Sequence, residues 1–591
     1  MRLRNPVIAV STAALLSLAA CGGSGEDPDP SAGGESSEEV TEGSGSGKGG
    51  AAGGGSEERE GAAPEIEGAE AGGTMKVISA NGLNTMDPSE AYYTNTYSIL
   101  AGLVTRSLTQ YVYKDGDMVL IPDLATKLPT PNEDYTEWTV ELRDDVKWEN
   151  GDPVTPEEVA YGIKRSFDRA SFPEGAAYSN DYFVDGDKYK GPYKSGEDYK
   201  GIEIDGNTMT FKMATPFPDF AFWGAFPAMG PIPTDEKIND PAKYAQHPWA
   251  TGPYMFDEYT PEKALTLVKN PNWDPATDPG RRQLVDGFDM EFNVPTAKID
   301  QIMLKDDPNT ITYDNISATV FPDFQRDAKD RLVIGTDPCT FMWYPDYRKI
   351  TDMKVRQALA FAYPYGDAYA AAGLIEGITR SYGTNIMPEG IPGREEYNPL
   401  PEHDLGETDP EAAKALLKEA GEEGYEITFL YAQDDPISVD VKDAIVRGLT
   451  NAGFTPKPVA STIAEASTVR ADPDADINVR SGGWCSDWPS GGSWFPPVFQ
   501  STNLDEEGLG SNYAAFSEPE VDKEIKRILG LPIEDQPEAW NALDQMIMEK
   551  YFPVFVTGYG GVAIANGSGV NGMEVDNTTG MPTWKDMWIS K

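Results

Sequence analysis

Two kinds of periodicity divide the chain. A short apolar run, Met75 to Ala80, opens a region in which Trp138 to Leu142 alternates apolar and polar residues and Gly201 to Met213 carries Asp205-Gly206 between two alternating runs. These patterns predict strands, the last a hairpin. The same region holds one well-marked helix, with Thr155 as N-cap, Pro156 at the first helical position, Glu158 closing a capping box, and Val159, Ile163 and Phe167 at helical spacing. Farther on, strands and helices alternate. Asp409-Pro410-Glu411 opens a helix that Gly421 ends, Tyr425 to Tyr431 is a strand, Val439 to Asn451 is helical up to Gly453, and Thr455 to Val459 is a strand. Ser517 with Glu520 is expected to cap a helix through Ile528, and Pro537 to Lys550 to form another. The whole predicts an α/β body with a strand-rich portion toward its N-terminal end and, in the C-terminal half, a predominantly parallel sheet covered on both faces.

The first twenty residues depart from either pattern. Arg2 and Arg4 precede a short apolar run, Pro6 to Leu18, and Leu18-Ala19-Ala20-Cys21 follows at once. That is the layout of a secretory signal peptide, too short for a permanent membrane span. The residues before Cys21 resemble a bacterial lipobox, which predicts cleavage before Cys21, its lipidation, and anchoring to the outer face of the cell membrane. From Gly22 to Gly73 there are 17 Gly, 13 acidic residues, two basic ones and no aromatic residue. With so little to bury, residues 21–73 are expected to form a disordered tether, with a reach of roughly 40 Å. No later apolar run approaches the length of a membrane span, so the folded body is expected from about Thr74 to Lys591.

Composition narrows the chemistry. The 591 residues include 97 Asp+Glu against 48 Lys+Arg, a net charge of −49, of which the predicted signal carries +2 and residues 22–73 carry −11. A body this acidic offers no footprint for nucleic acid. Only two histidines, His247 and His403, are present, so neither a histidine-based zinc site nor a histidine general base is expected. Asp472, Asp474 and Asp476 mimic the start of a calcium loop, but Ile477 stands where glycine is required and Gly483 where a glutamate is required. Glu157-Glu158 and Asp505-Glu506-Glu507 read as helix-start and loop charges. No cofactor or metal is expected, and the length implies at least two domains.

Several blocks of sequence occur in a specific order: Leu120-Ile121-Pro122-Asp123-Leu124-Ala125; Trp138 to Trp148; Asn150-Gly151-Asp152-Pro153-Val154-Thr155-Pro156; Thr251-Gly252-Pro253-Tyr254; Val355-Arg356-Gln357-Ala358-Leu359; and Gly483-Trp484-Cys485-Ser486-Asp487-Trp488. Together they resemble the extracellular solute-binding proteins of peptide ABC transporters, the oligopeptide- and dipeptide-binding lipoproteins of solute-binding family 5. The resemblance implies a two-lobed periplasmic-binding-protein-like fold of three domains with a hinge and an interlobe cleft. Lobe 1 would comprise residues 74–107, 216–336 and 557–591, a β-rich second domain 108–215, and lobe 2 residues 337–556. It further implies a non-enzymatic monomeric receptor that captures short peptides and delivers them to the transmembrane subunits of an ABC permease.

A peptide enclosed in a cleft needs its terminal charges paired. The resemblance assigns the ligand ammonium to Asp487, with Gly483, Trp484, Cys485 and Trp488 lining the cleft and Cys339 bonded to Cys485. Trp488 replaces the family's usual tyrosine, and Tyr92 stands where a ligand-contacting glutamate is usual. Relatives place an arginine two residues before the glycine; here Ser481 takes that place and Arg480 lies one position earlier, so the partner of the ligand carboxylate stays open. An oligosaccharide or nickel-complex receptor on the same fold is the alternative, with Trp484, Trp488 and Trp494 stacking on sugar faces. A secreted carboxylate-dependent glycosidase is a third reading, for which the chain offers no motif.

Overall fold

The computed structural model describes residues 55–235, 238–401, 406–504 and 508–591. The expected signal peptide, Cys21, the first part of the expected tether, His403 and Asp505-Glu506-Glu507 lie outside the described residues. In chain order the principal strands are β1 (Thr74–Ile78), β2 (Thr109–Lys114), β3 (Asp117–Pro122), β4 (Thr130–Pro131), β5 (Glu137–Glu141), β6 (Ile202–Asp205), β7 (Thr208–Lys212), β8 (Tyr254–Thr260) and β9 (Ala264–Lys269). They continue with β10 (Gly287–Glu291), β11 (Thr310–Thr312), β12 (Leu332–Pro345), β13 (Arg380–Ser381), β14 (Glu426–Ala432), β15 (Thr455–Ser461), β16 (Val479–Cys485) and β17 (Phe555–Asn566).

One large sheet runs in the order β15-β14-β16-β12-β17-β11-β1-β10-β9-β8, with β13 against β17, and β4-β5-β7-β6 form a separate sheet. β14 is parallel to β15 and β1 is parallel to β10 and β11, but β12 is antiparallel to both β16 and β17. The expected predominantly parallel sheet is therefore mixed. Local alternation of helix and strand reports the β14-helix-β15 crossover, whereas β12 and β17 reach the sheet from distant parts of the chain and carry no local sign of direction.

Several boundaries follow from the local chemistry. The helix Pro156–Arg165 carries the full capping box between Thr155 and Glu158. Asp409 caps the helix Pro410–Ala420, and Gly421 ends it at φ 73°, the left-handed conformation that glycine tolerates. The expected Ser517/Glu520 cap does not form: the helix starts at Pro519 behind Glu518 without a side-chain cap. Proline at the first helical position sets that start, because its missing N–H would have been unpaired there in any case.

Three large cores result. One surrounds β1, β9 and β10 (Met75, Val77, Leu265, Leu267, Phe288), and a second surrounds β12, β14 and β17 (Trp343, Leu359, Ile427, Leu449, Phe555). The third fills the strand-rich unit with Trp138, Met209 and Phe211. It also takes in Phe217, Phe220, Trp223 and Met229, which the expected boundary at residue 215 had assigned to lobe 1. β12 and β17 run through the junction of the first two cores. Their pairing spans Leu332↔Ala565 to Trp343↔Phe555 and is broken between Thr336 and Thr340. Gly560 lies opposite this irregularity, where a Cβ would meet the Asp337 carboxylate at 2.4 Å.

Residues 55–73 correct the expectation of a tether extending to Gly73. Leu120 N–H donates to the Gly55 carbonyl and Glu57 N–H to that of Leu120, both at 3.0 Å. Ala63 N–H reaches the Asp278 carbonyl at 2.9 Å and Gly72 N–H that of Leu284 at 2.8 Å, while Glu57 pairs with Lys114. Absence of aromatic side chains deprives the segment of a core of its own, but its backbone groups still find partners on β3 and on residues 278–284. Among the described residues no helix is long and apolar enough to cross a membrane.

Candidate functional site

The site forms where β16 and the loop after it meet the strand-rich unit. β16 is paired with β12 over its whole length, from Cys339↔Cys485 to Pro345↔Val479, but its other edge meets β14 only at Phe429↔Val479. From Arg480 to Cys485 that outer edge carries no strand among the described residues. Cys339 and Cys485 are joined by a disulfide directly across the β12/β16 ladder, with Cα atoms 3.9 Å apart. Ser486 N–H then donates to the Pro338 carbonyl at 2.8 Å, which turns the chain and presents Asp487 and Trp488 to the strand-rich unit.

Asp487 accepts a hydrogen bond from Tyr92 Oη at 2.8 Å and a second, short one from Tyr178 Oη. Burial pushes its carboxyl up to about 6, opposed by these two hydroxyls. Part of Asp487 and of Tyr92 remains open to solvent. Tyr178 was missed by sequence reasoning: it lies 309 positions from Asp487, on a five-residue helix, Tyr178–Tyr182, with no motif around it. Tyr92 was legible only as a departure from the family pattern.

Trp488 is 1% exposed and sits wholly within the third core, at 4.5 Å between ring centroids from Tyr178 and edge-on to Phe226. Its Nε1–H donates to Asp219 Oδ2 at 2.8 Å. Burial takes the Asp219 carboxyl up to about 6, with the Trp488 bond acting against it. Trp488 thus ties β16 to the strand-rich unit, and its ring is not a cleft wall. Trp484 is half-buried, with Nε1–H donating to the Ser493 carbonyl at 2.7 Å. Trp494 is fully buried, so it does not offer the stacking face that the sugar reading required of it. Gly483 has a packing reason of its own: a Cβ there would meet the Phe341 ring and the Thr340 carbonyl at 3.0 Å.

Arg480, the arginine nearest the expected position, is spent within the fold. Its guanidinium is buried and pairs with Asp346 at 2.9 Å. A different arginine stands at the irregular part of the β12/β17 ladder. Arg380, on β13, lies 3.4 Å from the centroid of the Phe341 ring; the residue is partly exposed, but its Nε is buried and has no hydrogen-bond partner. Asp337 is close by, with burial taking its carboxyl up to about 6 and Arg380 acting against that. Asp337 lies within 4.8 Å of both disulfide sulfurs, which are bonded to each other and so are not thiolate ligands for a metal.

Comparison with known proteins bears on this arrangement. The profile of the bacterial extracellular solute-binding proteins of family 5 matches residues 119–506. The chain is 23% identical to the probable D,D-dipeptide-binding periplasmic protein DdpA of Escherichia coli over 472 residues, 75% of this chain and 80% of that one. It is 22% identical to the periplasmic oligopeptide-binding protein OppA of Salmonella typhimurium over 444 residues, 71% of this chain and 76% of that one. Among solved structures, the clavulanic acid biosynthesis oligopeptide binding protein 2 superposes with a TM-score of 0.79 at 22% identity, covering 88% of this chain and 96% of the other. A DppA from Helicobacter pylori in complex with the peptide STSA gives 0.67 at 16% identity, covering 88% of this chain and 99% of that one.

Proposed function

Because the chain belongs to the bacterial extracellular solute-binding proteins of family 5 and has their two-lobed α/β fold, we propose that it captures short peptides at the junction of its lobes and passes them to an ABC permease. The observation that carries this reading is the conjunction of a strand edge, Arg480 to Cys485, that carries no further strand among the described residues, with the Asp487 carboxylate at its end. An extended peptide adds to such an edge through its own backbone hydrogen bonds. Its ammonium then meets Asp487, which holds two phenolic donors and no cation among the described residues.

The ligand carboxylate is assigned to Arg380. Arg480 is committed to Asp346, whereas Arg380 is partly exposed and makes no ion pair among the described residues. Ligand bridging Asp487 in one lobe and Tyr92 in the other favours the closed arrangement, with β12 and β17 as the hinge strands. The relatives are solute-binding proteins, not enzymes, and no catalytic step is assigned. Anchoring through a lipidated Cys21 fits this reading, with residues 55–73 laid against the body and the chain before them as the connection to the membrane.

The test is calorimetry of the full chain with di- to pentapeptides, alongside mass spectrometry of protein extracted from its native membrane. One peptide per chain at micromolar affinity, about 8 kcal/mol, is expected, with peptides in the extract and a lipid mass on the N-terminal fragment. Failure of every peptide to bind, with a glycan released from the extract, would replace this reading by the oligosaccharide one.

Closure also makes a prediction for Trp488. Trp488→Phe keeps the ring in the third core but leaves the buried Asp219 without its indole donor, at a cost of about 1 to 3 kcal/mol. Peptide affinity is expected to fall about tenfold, and small-angle scattering of the peptide-bound protein should show a more open form. An unchanged affinity would mean that the Trp488 contact persists independently of closure.

A further inference from the structure

A recess of about 490 Å³, open mouth included, lies between the helix Thr94–Ile99, the β2/β3 hairpin and the C-terminal segment 576–586. Trp584 closes one side, with Nε1–H donating to Ser98 Oγ at 3.2 Å. An aromatic layer separates the recess from the junction of the lobes: Tyr97, on its wall, stacks on Phe226 at 4.7 Å, and Phe226 meets Trp488 edge-on.

Three polar groups in this recess are incompletely used. Lys585 Nζ donates to Gln110 Oε1 at 2.9 Å and to the Tyr111 carbonyl at 2.6 Å, which leaves one of the three ammonium protons without an acceptor among the described residues. Asp576 lines the same recess and accepts from Thr578 N–H and Oγ1–H through Oδ1, but it makes no ion pair with Lys585. Tyr111 Oη is buried with no hydrogen-bond partner. A cation and an anion therefore face one small space without touching. A carboxylate alone would satisfy Lys585 and set a like charge beside Asp576, and an amine alone would do the reverse. A small molecule carrying both charges satisfies both groups and leaves the recess with its original net charge.

From this geometry we infer that the recess is a second binding site, for a small zwitterion of the α-amino acid class, with its carboxylate on Lys585 and its ammonium on Asp576. The site is distinct from the peptide site and does not rest on that reading. Its charge state supports it. Burial, and after it the Arg281 charge, lowers Lys585 to about 7 against the opposing Asp123, Asp278 and Asp576. Asp576 is raised by burial, opposed by Thr578 and Lys585. Of the other groups around the recess, Asp586 is raised by burial against its Arg282 partner, and the Tyr97, Tyr111 and Tyr113 phenols are all shifted upward by burial, away from neutrality. The ammonium form of Lys585, which the ligand carboxylate needs, is lost as pH rises through about 7.

Calorimetry of the full chain with L-alanine, acetate and methylammonium at pH 7 tests the site. L-alanine is expected to bind one per chain at least tenfold more tightly than either half-ligand, and about tenfold more weakly at pH 8.5 than at pH 7.5. Asp576→Asn and Lys585→Met should each weaken it at least tenfold, while Asp487→Asn leaves it unchanged. If Lys585→Met does not fold, Asp576→Asn, which keeps the side-chain shape, still decides. Acetate binding as tightly as L-alanine, full affinity in Asp576→Asn, or loss of L-alanine binding in Asp487→Asn would each overturn the assignment, the last by placing the amino acid in the peptide site.

Discussion

Replacing both Cys339 and Cys485 by serine is expected to lower stability by about 4 to 5 kcal/mol, because the bond closes a loop with a sequence separation of 146 and so restricts the unfolded chain. Two structural consequences add to that loss. The bond lies across the β12/β16 ladder, at the end of β16 opposite its single pairing with β14. It also fixes the residue that precedes the Ser486 turn and hence the place of Asp487. The double variant should therefore unfold at a lower denaturant concentration and bind peptide at least tenfold more weakly. Guanidinium unfolding curves of the oxidised protein and the variant, read with calorimetry on each, give both quantities. A stability difference under 1 kcal/mol would show that the unfolded loop is already compact without the bond.

Asp487→Asn is expected to reduce peptide affinity about a hundredfold, near 2.7 kcal/mol. It removes one charge-assisted bond to an ammonium while keeping the size of the side chain and acceptors for Tyr92 and Tyr178. An N-acetylated peptide supplies the control. It should bind the wild type weakly and gain nothing further from the substitution. The pH dependence has a definite sign: burial raises the carboxyl to about 6, so the ionised form that pairs with ammonium is full above that value and is lost as pH falls through it. Affinity for free peptides should drop on the acid side of pH 6, and Tyr92→Phe, which removes one hydroxyl that holds the carboxylate ionised, should move that drop to higher pH. Equal affinities for wild type and Asp487→Asn would remove Asp487 from the ammonium site.

The two results also separate the acidity of the molecule into parts with different work. Among the acids behind the net charge of −49, Asp487, Asp219 and Asp337 are carboxylates whose burial lifts each to about 6. Sequence alone does not distinguish these three from the other acids; only their neighbours in space do.

Where local chemistry decides an element, the amino-acid sequence was sufficient. The Thr155/Glu158 capping box, the left-handed Gly421 stop and the Asp205-Gly206 hairpin all involve residues within a few positions of one another, and the structure shows each. The ordered blocks around Asn150-Gly151-Asp152-Pro153 and Gly483-Trp484-Cys485 likewise identified the family before any coordinates. What tertiary structure alone decided involves pairs far apart along the chain. The antiparallel crossing of β12 with β16 and β17, the docking of residues 55–73 on β3 and on residues 278–284, and the insertion of Trp488 beside Asp219, 269 positions away, have no periodic or local signature. The same holds for the different surroundings of Arg480 and Arg380: both are single arginines in sequence, and the fold pairs one with Asp346 in the interior while the other lies over the Phe341 ring with no ion pair among the described residues. Local propensity acts over a few residues, whereas burial, pairing and the partners of a charge depend on which surfaces the fold brings together.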